Sequence, residues 1–173
     1  MGLGHRCDQV VSGHGDGMKK SSLVKTSLAT AVTAVAGSLA TDPKSRWYRR
    51  LDKPSWQPPP PAYGAVWTPL YVLIAYAGAR ALSRAGEAER PALARALGVN
   101  LALNAAWTPL FFKLRRPRAA LAELVALNVS NAALTRRTLR ADRTAGLLLL
   151  PYAGWTLFAT ALNAAIVRRN PRA

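Results

Sequence analysis

An all-α integral membrane bundle of five transmembrane helices is the fold class that this 173-residue sequence predicts, on three observations. Half of the residues are apolar, although the formal charge is +16. Lysine and arginine gather in six clusters, at the N-terminus, 44–53, 80–95, 113–118, 136–143 and 168–172. Between the clusters lie five stretches nearly free of charge, the layout of membrane spans joined by cationic loops rather than of a basic nucleic-acid binder. The length suits one domain, and one cysteine excludes an internal disulfide framework.

Residues 1–20 form an N-terminal extension ahead of a membrane domain at 21–170. Met1 to Gly17 has many Gly and polar residues and no apolar period, and reads as disordered. His5, Cys7, His14 and Asp16 match no standard zinc spacing, so no metal site is assigned. Met18, which opens MKKSSLVKT, reads as the better start. The first apolar stretch, 23–41, follows Lys19 and Lys20 and ends Gly-Ser-Leu-Ala, a pattern shared by a cleaved leader and a first membrane helix. The connection after it is a stiff aromatic loop. Pro54 and Pro58 to Pro61 remove amide donors and fix φ, so the part of 47–71 before Ala62 is expected to be non-helical.

The second helix, 62–82, lies in a run of 26 uncharged residues (54–79), above the roughly 20 needed to span a bilayer. It carries Trp67, Tyr71 and Tyr76, and a proline, Pro69, that neighbouring helices can accommodate. A plain polar loop leads to the third helix, 92–112, which sets Asn100, Asn104, Trp107 and Phe111 on one face. Gly98 and Ala102 there form a small-xxx-small pair suited to close helix packing. The fourth helix, 118–137, carries Asn128, Ser130 and Asn131, expected to bond to neighbouring helices, and Glu123, expected to pair with a loop arginine at the interface. The fifth, 143–168, contains 24 uncharged residues (144–167) and aligns Tyr152, Trp155, Ala159, Asn163 and Ile166 along one stripe. The stretches between basic residues in the third and fourth, 96–112 and 119–135, are only 17 residues each, the second including Glu123, so flanking arginines would snorkel to the interface.

Helix direction brings the unusual residues together. Trp67 lies about 7 Å into the second helix, Trp107 a similar distance from the end of the third, and Trp155 roughly 18 Å from the end of the fifth, all counted from the side of the proline-rich loop. The expected site is a cavity lined by Tyr48, Trp67, Asn104, Trp107, Trp155, Ala159 and Asn163 and lidded by Trp47, Lys53, Pro54 and Trp56. Such a cavity suits a flat, apolar, anionic ligand. A porphyrin has that character: its ring would stack on Trp and Tyr, and its propionates would meet Arg49, Arg50 or Lys53. It would be a ligand and not a resident cofactor. Tryptophans that only anchor a bundle at the interface would give the same composition.

The pattern Trp47-Tyr48-x-x-Leu51-x-Lys53-Pro54-x-Trp56-x-Pro58-Pro59, followed by Val66 to Tyr71, resembles the TspO/MBR family of tryptophan-rich sensory and translocator proteins. Asn104 to Phe112 (NAAWTPLFF) is similar to the family's Asn-x-x-Trp-Ser-x-x-Phe-Phe, with Thr108 in place of Ser, and Pro151 to Asn163 to its P-Y-x-x-W-x-x-F-A-T-x-L-N. The blocks cover about 23–170 in the expected order. The resemblance implies that 23–41 is a first membrane helix, that tetrapyrroles bind in this region, and that the chain works in a bacterial membrane as a homodimeric sensor or carrier. It also implies a second possibility, light- and oxygen-dependent porphyrin breakdown using Trp67 and Trp155, for which no acid–base dyad, nucleophile–base pair or metal cluster inside the membrane adds support. The C-terminal sterol motif of animal members is missing, with Ala164 and Val167 at its tyrosine and tryptophan positions. Charge does not orient the bundle, because twelve Lys and Arg fall on each side. The resemblance alone implies a cytoplasmic C-terminus.

Overall fold

The computed structural model describes residues 20–172. The extension, its histidines and cysteine, and Met18 lie outside the described residues. Seven α-helices and one π-helical turn make up the fold, with no strand among the described residues. α1 is Lys20–Ala40, α2 Arg46–Arg50, α3 Pro60–Arg84, α4 Arg90–Thr108, α5 Pro117–Ala141, α6 Arg143–Leu148 and α7 Leu150–Arg169. Among the described residues three segments are long and apolar enough to cross a membrane, α1, α3 and the α6–α7 unit at Arg143–Arg169. α4 with its π turn spans 24 residues and α5 spans 25, which is long enough, but both spend apolar character on amides and hydroxyls turned inward.

The helices close into a ring in the order α1, α3, α6–α7, α5, α4. Sequence neighbours α3 and α4 are thus not ring neighbours, and α1 fills the place between them. α1 shows why this is a bundle for lipid. Its inward residues are Thr26, Thr30 and Thr33, all buried, whereas Val24, Leu28, Val32, Val35 and Leu39 face outward. The threonine hydroxyls bond to carbonyls of their own helix, as Thr30 does to Thr26 O at 2.7 Å, so they remain satisfied without water. Thr26 also reaches the Ala75 carbonyl of α3 at 2.9 Å. Gly78 permits this approach, since a Cβ there would stand 2.8 Å from Leu97 Cδ2 and 3.4 Å from Thr26 Cγ2.

Prolines account for most departures from the expected boundaries. The third helix does not run regularly to 112: α4 stops at Thr108 and Pro109–Lys113 is a π turn. Pro109 has no N–H, and its carbonyl is taken by Leu114 N, five residues on, at 2.9 Å. Arg115 then takes φ 53°, the one positive-φ residue other than glycine among those described. The fifth helix is broken at Leu149, just before Pro151, into α6 and α7. The fourth extends to Ala141, where Asp142 stops it and caps α6 by accepting a hydrogen bond from Ala145 N at 2.7 Å.

The connection between α1 and α3 is not wholly non-helical, contrary to expectation. Arg46–Arg50 forms a short helix capped by Ser45, whose Oγ accepts from Tyr48 N at 3.3 Å. Proline restricts only the residue before it, so the constraint of Pro54 ends at Lys53 and leaves 46–50 free to coil. Loop and C-terminus are laced together at the same end of the bundle. Asp52 N donates to Asn170 Oδ1 at 2.9 Å, Asn170 Nδ2 donates to Asp52 O at 2.8 Å, and Arg169 pairs with the Asp52 carboxylate at 3.3 Å. The opposite end is held by Arg80, whose Nε lies 2.9 Å from Asp142 Oδ1. That bond, together with the Ala145 amide, keeps the Asp142 carboxyl below its ordinary range in spite of burial.

Candidate functional site

Two aromatic groups occupy the half of the bundle beneath the loop, where a single cavity was expected. The first bridges α3 and α7. Tyr63, Trp67 and Tyr71 recur every four residues and so share a face of α3, while Tyr152, Trp155 and Phe158 recur every three on α7. Trp67 stacks on Tyr71 (centroids 5.0 Å, interplanar angle 25°) and tilts against Tyr152 at 6.2 Å. Trp155 stacks on Phe158 (5.2 Å, 27°) and meets the edge of Tyr63 at 6.1 Å. Trp56 of the loop closes the ladder, edge-on to Phe158 at 5.8 Å. The α3 and α7 backbones approach closely at few positions, so rings rather than main chain fill the seam between them.

The second group gathers where α4 ends. Trp107 stacks on Phe111 (5.1 Å, 20°), and Trp47 meets Phe111 edge-on at 5.6 Å. Tyr48 packs against Phe112 at 5.2 Å. Trp107 therefore sits apart from Trp67 and Trp155. The π turn produces this arrangement, because its wider coil sets Phe111 inward at 2% exposure and Phe112 beside it. Lys53 is engaged within the loop, donating to the Tyr48 and Leu51 carbonyls at 2.8 and 2.9 Å with its ammonium 4.9 Å from the Tyr48 ring centre. Burial raises the Tyr48 phenol above its ordinary pKa, with the bond donated by Gln57 Nε2 (3.0 Å) acting the other way. Arg49 and Arg50 are exposed, Pro54 is buried, and Ala159 is half-buried.

Through Tyr71 and Tyr152 the ladder joins a directed chain of hydrogen bonds. Tyr71 donates to Asn104 Oδ1 (3.1 Å), Asn104 Nδ2 to Tyr152 Oη (3.2 Å), Tyr152 to Asn100 Oδ1 (3.1 Å) and Asn100 Nδ2 to Asn131 Oδ1 (2.6 Å). Asn131 Nδ2 continues to Thr156 Oγ1 (2.8 Å), Thr156 to Asn128 Oδ1 (2.8 Å) and Asn128 Nδ2 to Thr160 Oγ1 (2.7 Å). Every step donates in the same sense, so each bond polarises the next. The chain visits α3, α4, α7 and α5, and so the expectation that the amides of the fourth helix bond to its neighbours holds. It also gives Asn104 a firm position, one tyrosine away from Trp67.

Two expected polar residues stand elsewhere. Asn163 of α7 is buried against the start of α5, where its Nδ2 donates to the Pro117 carbonyl at 3.1 Å and its Oδ1 has no partner among the described residues. Glu123 pairs with no loop arginine; both its oxygens are buried and have no hydrogen-bond partner among the described residues. It lies six residues, about 9 Å, inside α5. The antiparallel register set by Asn100 against Ser130 and Asn131 places it level with Trp107, whose Nε1 is also buried and unpartnered. The site members that sequence reasoning left out of its set are Tyr63, Tyr71, Tyr152 and Phe158. The four-residue spacing of the first two with Trp67 was the signal that could have found them.

Comparison with known proteins agrees with this architecture. The sequence model of the TspO/MBR family matches residues 26–169. The chain is 34% identical to the tryptophan-rich sensory protein of Cereibacter sphaeroides over 82% of its length and 87% of the relative's. It is 38% identical to protein CrtK of Rhodobacter capsulatus, over 72% of this chain and 79% of that one. To the human translocator protein it is 38% identical, over 72% and 75%. With an all-helical bundle, three strongly apolar spans and a family match over most of its length, this chain is an integral membrane protein belonging to the TspO/MBR family.

Proposed function

We propose that the chain binds a tetrapyrrole in the aromatic seam between α3 and α7 and acts as a membrane sensor or carrier for it. The carrying observation is the ladder of Tyr63, Trp67, Tyr152 and Trp155, which holds two helices apart with rings. A flat macrocycle that slides between those rings exchanges ring–ring contacts for ring–ligand contacts of the same kind, at little cost in packing. The exposed Arg49 and Arg50 supply cations for its propionates, whereas Lys53 is already committed to the loop. Relatives named for sensing and translocation support the reading at the level of role.

Tryptophan quenching by protoporphyrin tests it. Trp67→Ala or Trp155→Ala is expected to weaken binding about tenfold or more, since a lost aromatic face is worth on the order of one to a few kcal/mol. Phe at either position should restore most of it, and Trp47→Phe should change little. Parent-like binding by both alanine variants, with helicity intact, would sink the proposal. An oxygen-dependent breakdown of porphyrin would use the same indoles as oxidisable groups; there the phenylalanine variants would bind but no longer convert ligand under light. The assembly we propose is a homodimer in a bacterial membrane with a cytoplasmic C-terminus. Gly98 and Ala102 lie on the open outer face of α4, where they are free to meet a second copy. Gly98→Leu should lower the mass measured by light scattering in mild detergent, and an unchanged mass would place the interface elsewhere.

A further inference from the structure

A groove of about 680 Å³ lies outside the bundle, between the first loop and the C-terminal turns of α7. Its floor is Ala161, Ala164 and Ala165, and Pro54 and Trp56 of the loop form one wall. Arg168 and Arg169 stand at its mouth. The bonds between Asp52 and Asn170 tie the loop to the end of α7, so the groove is built by fixed partners.

We propose that this groove is a binding site for an anionic glycerophospholipid, its phosphate on Arg168 and one acyl chain along the alanine floor. The charges at the mouth are unequal. Arg169 already shares the Asp52 carboxylate at 3.3 Å, whereas Arg168 is exposed and has no ion pair among the described residues. A planar guanidinium with free donors takes a phosphate through two parallel hydrogen bonds. Ala161, Ala164 or Ala165, and Arg168 follow one another on a single helix face over about 10 Å of rise, which sets the charge at headgroup level and the alanines in the hydrocarbon. Small side chains leave a lipid tail room against the helix, and Trp56, 49% exposed, stands where an indole favours the boundary between headgroup and tail. A basic recess beside a membrane helix is the kind of place where anionic headgroups are recognised.

The test uses the full chain in neutral detergent, with bound lipids counted by native mass spectrometry. Phosphatidylglycerol and phosphatidylcholine carry matched acyl chains, and glycerol phosphate is the water-soluble competitor. Phosphatidylglycerol should be retained about tenfold more strongly than phosphatidylcholine, a preference that Arg168→Gln should reduce to near parity. Ala161→Leu, at an exposed position that cannot disturb the core, should weaken both lipids by occupying the floor. Arg172→Gln, which removes a nearby cation outside the groove, should leave the preference intact. Equal retention of the two lipids by the parent, or parent-like preference in Arg168→Gln, would overturn the proposal. So would full displacement by glycerol phosphate, which would make the site one for free phosphate. Protoporphyrin quenching, read in parallel, should be the same in all three variants, so failure here is distinguishable from failure of the tetrapyrrole reading.

Discussion

Replacing Asn100 by leucine should unfasten the directed hydrogen-bond chain at its centre. Asn100 is fully buried and joins three partners: it donates to Asn131 Oδ1 and Ser130 Oγ and accepts from Tyr152. Three such bonds, at the roughly 0.6 kcal/mol average for polar pairs within membranes, amount to about 2 kcal/mol. The substitution also strands the Tyr152 hydroxyl and the Asn131 carbonyl, at roughly 1–3 kcal/mol for each unsatisfied buried group. Leucine shares the branch at Cγ and adds apolar surface, which offsets part of that loss, but it is the larger side chain and the site is fully buried, so the net expectation is a destabilisation of at least about 2–3 kcal/mol. Reversible unfolding in mixed micelles, followed by far-ultraviolet circular dichroism, measures it, with Val99→Ala at an exposed neighbouring position as the control. A double-mutant cycle with Asn131→Ala should give a coupling above about 0.5 kcal/mol, because the two residues share a bond. An Asn100→Leu protein as stable as the parent, or a coupling near zero, would show that the chain is not a cooperative unit.

Three further perturbations follow from local geometry. Gly146→Ala should destabilise by about 1–3 kcal/mol, since a Cβ there would lie 2.9 Å from the Leu139 Cα; Gly154→Ala, with nothing within 4 Å, should be neutral or stabilising, and thermal melts in detergent that showed the reverse would contradict the packing. Glu123→Leu should raise stability by about 1–3 kcal/mol, because it removes two buried oxygens that have no partner among the described residues; a lower melting temperature would mean that the carboxyl has a partner in the membrane. Asp142 carries a pH dependence of defined sign. Its carboxyl titrates below the ordinary value in the folded chain, so its contribution is present above about pH 4 and is lost as pH falls through the lowered value. Asp142→Asn should melt lower at neutral pH and lose less on acidification than the parent, whereas identical slopes below pH 4 would refute the assignment.

Much of the bundle was legible because lipid makes charge a positional signal: the uncharged runs around Trp67 (54–79) and Trp155 (144–167) hold most of α3 and of α7, although each helix starts six residues into its run. What escaped depended on individual backbone groups. Pro109 and Pro151 were visible, yet whether a missing amide ends a helix, widens it or is absorbed depends on which carbonyl finds another donor, as Leu114 does for Pro109. Ring order was hidden for a different reason. A stripe such as Tyr152 and Trp155 shows that a helix has an inward face, but not that α3 rather than α4 stands opposite, and so Trp107 was grouped with tryptophans it does not meet. Glu123 failed in the same way. Its distance from Arg118 is short in sequence, but its carboxyl is buried within the bundle, while Arg118 donates to the Pro171 carbonyl at 2.7 Å.

The threonine face of α1 has a consequence for how this chain tolerates change. In a water-soluble helix, exposed positions accept nearly any polar residue and buried ones demand particular apolar shapes. Here the constraint is inverted. Positions 24, 28, 32, 35 and 39 are exposed on the outer face of a membrane span, so a saturation library should accept Leu, Ile, Val, Phe or Met there almost interchangeably and reject charge. Positions 26, 30 and 33 should reject those same residues and keep Ser, Ala or Thr, because the space beside α3 and α4 is limited and a hydroxyl can close on its own backbone. An alignment built from such a library would show its most variable column and its most hydrophobic column to be the same one.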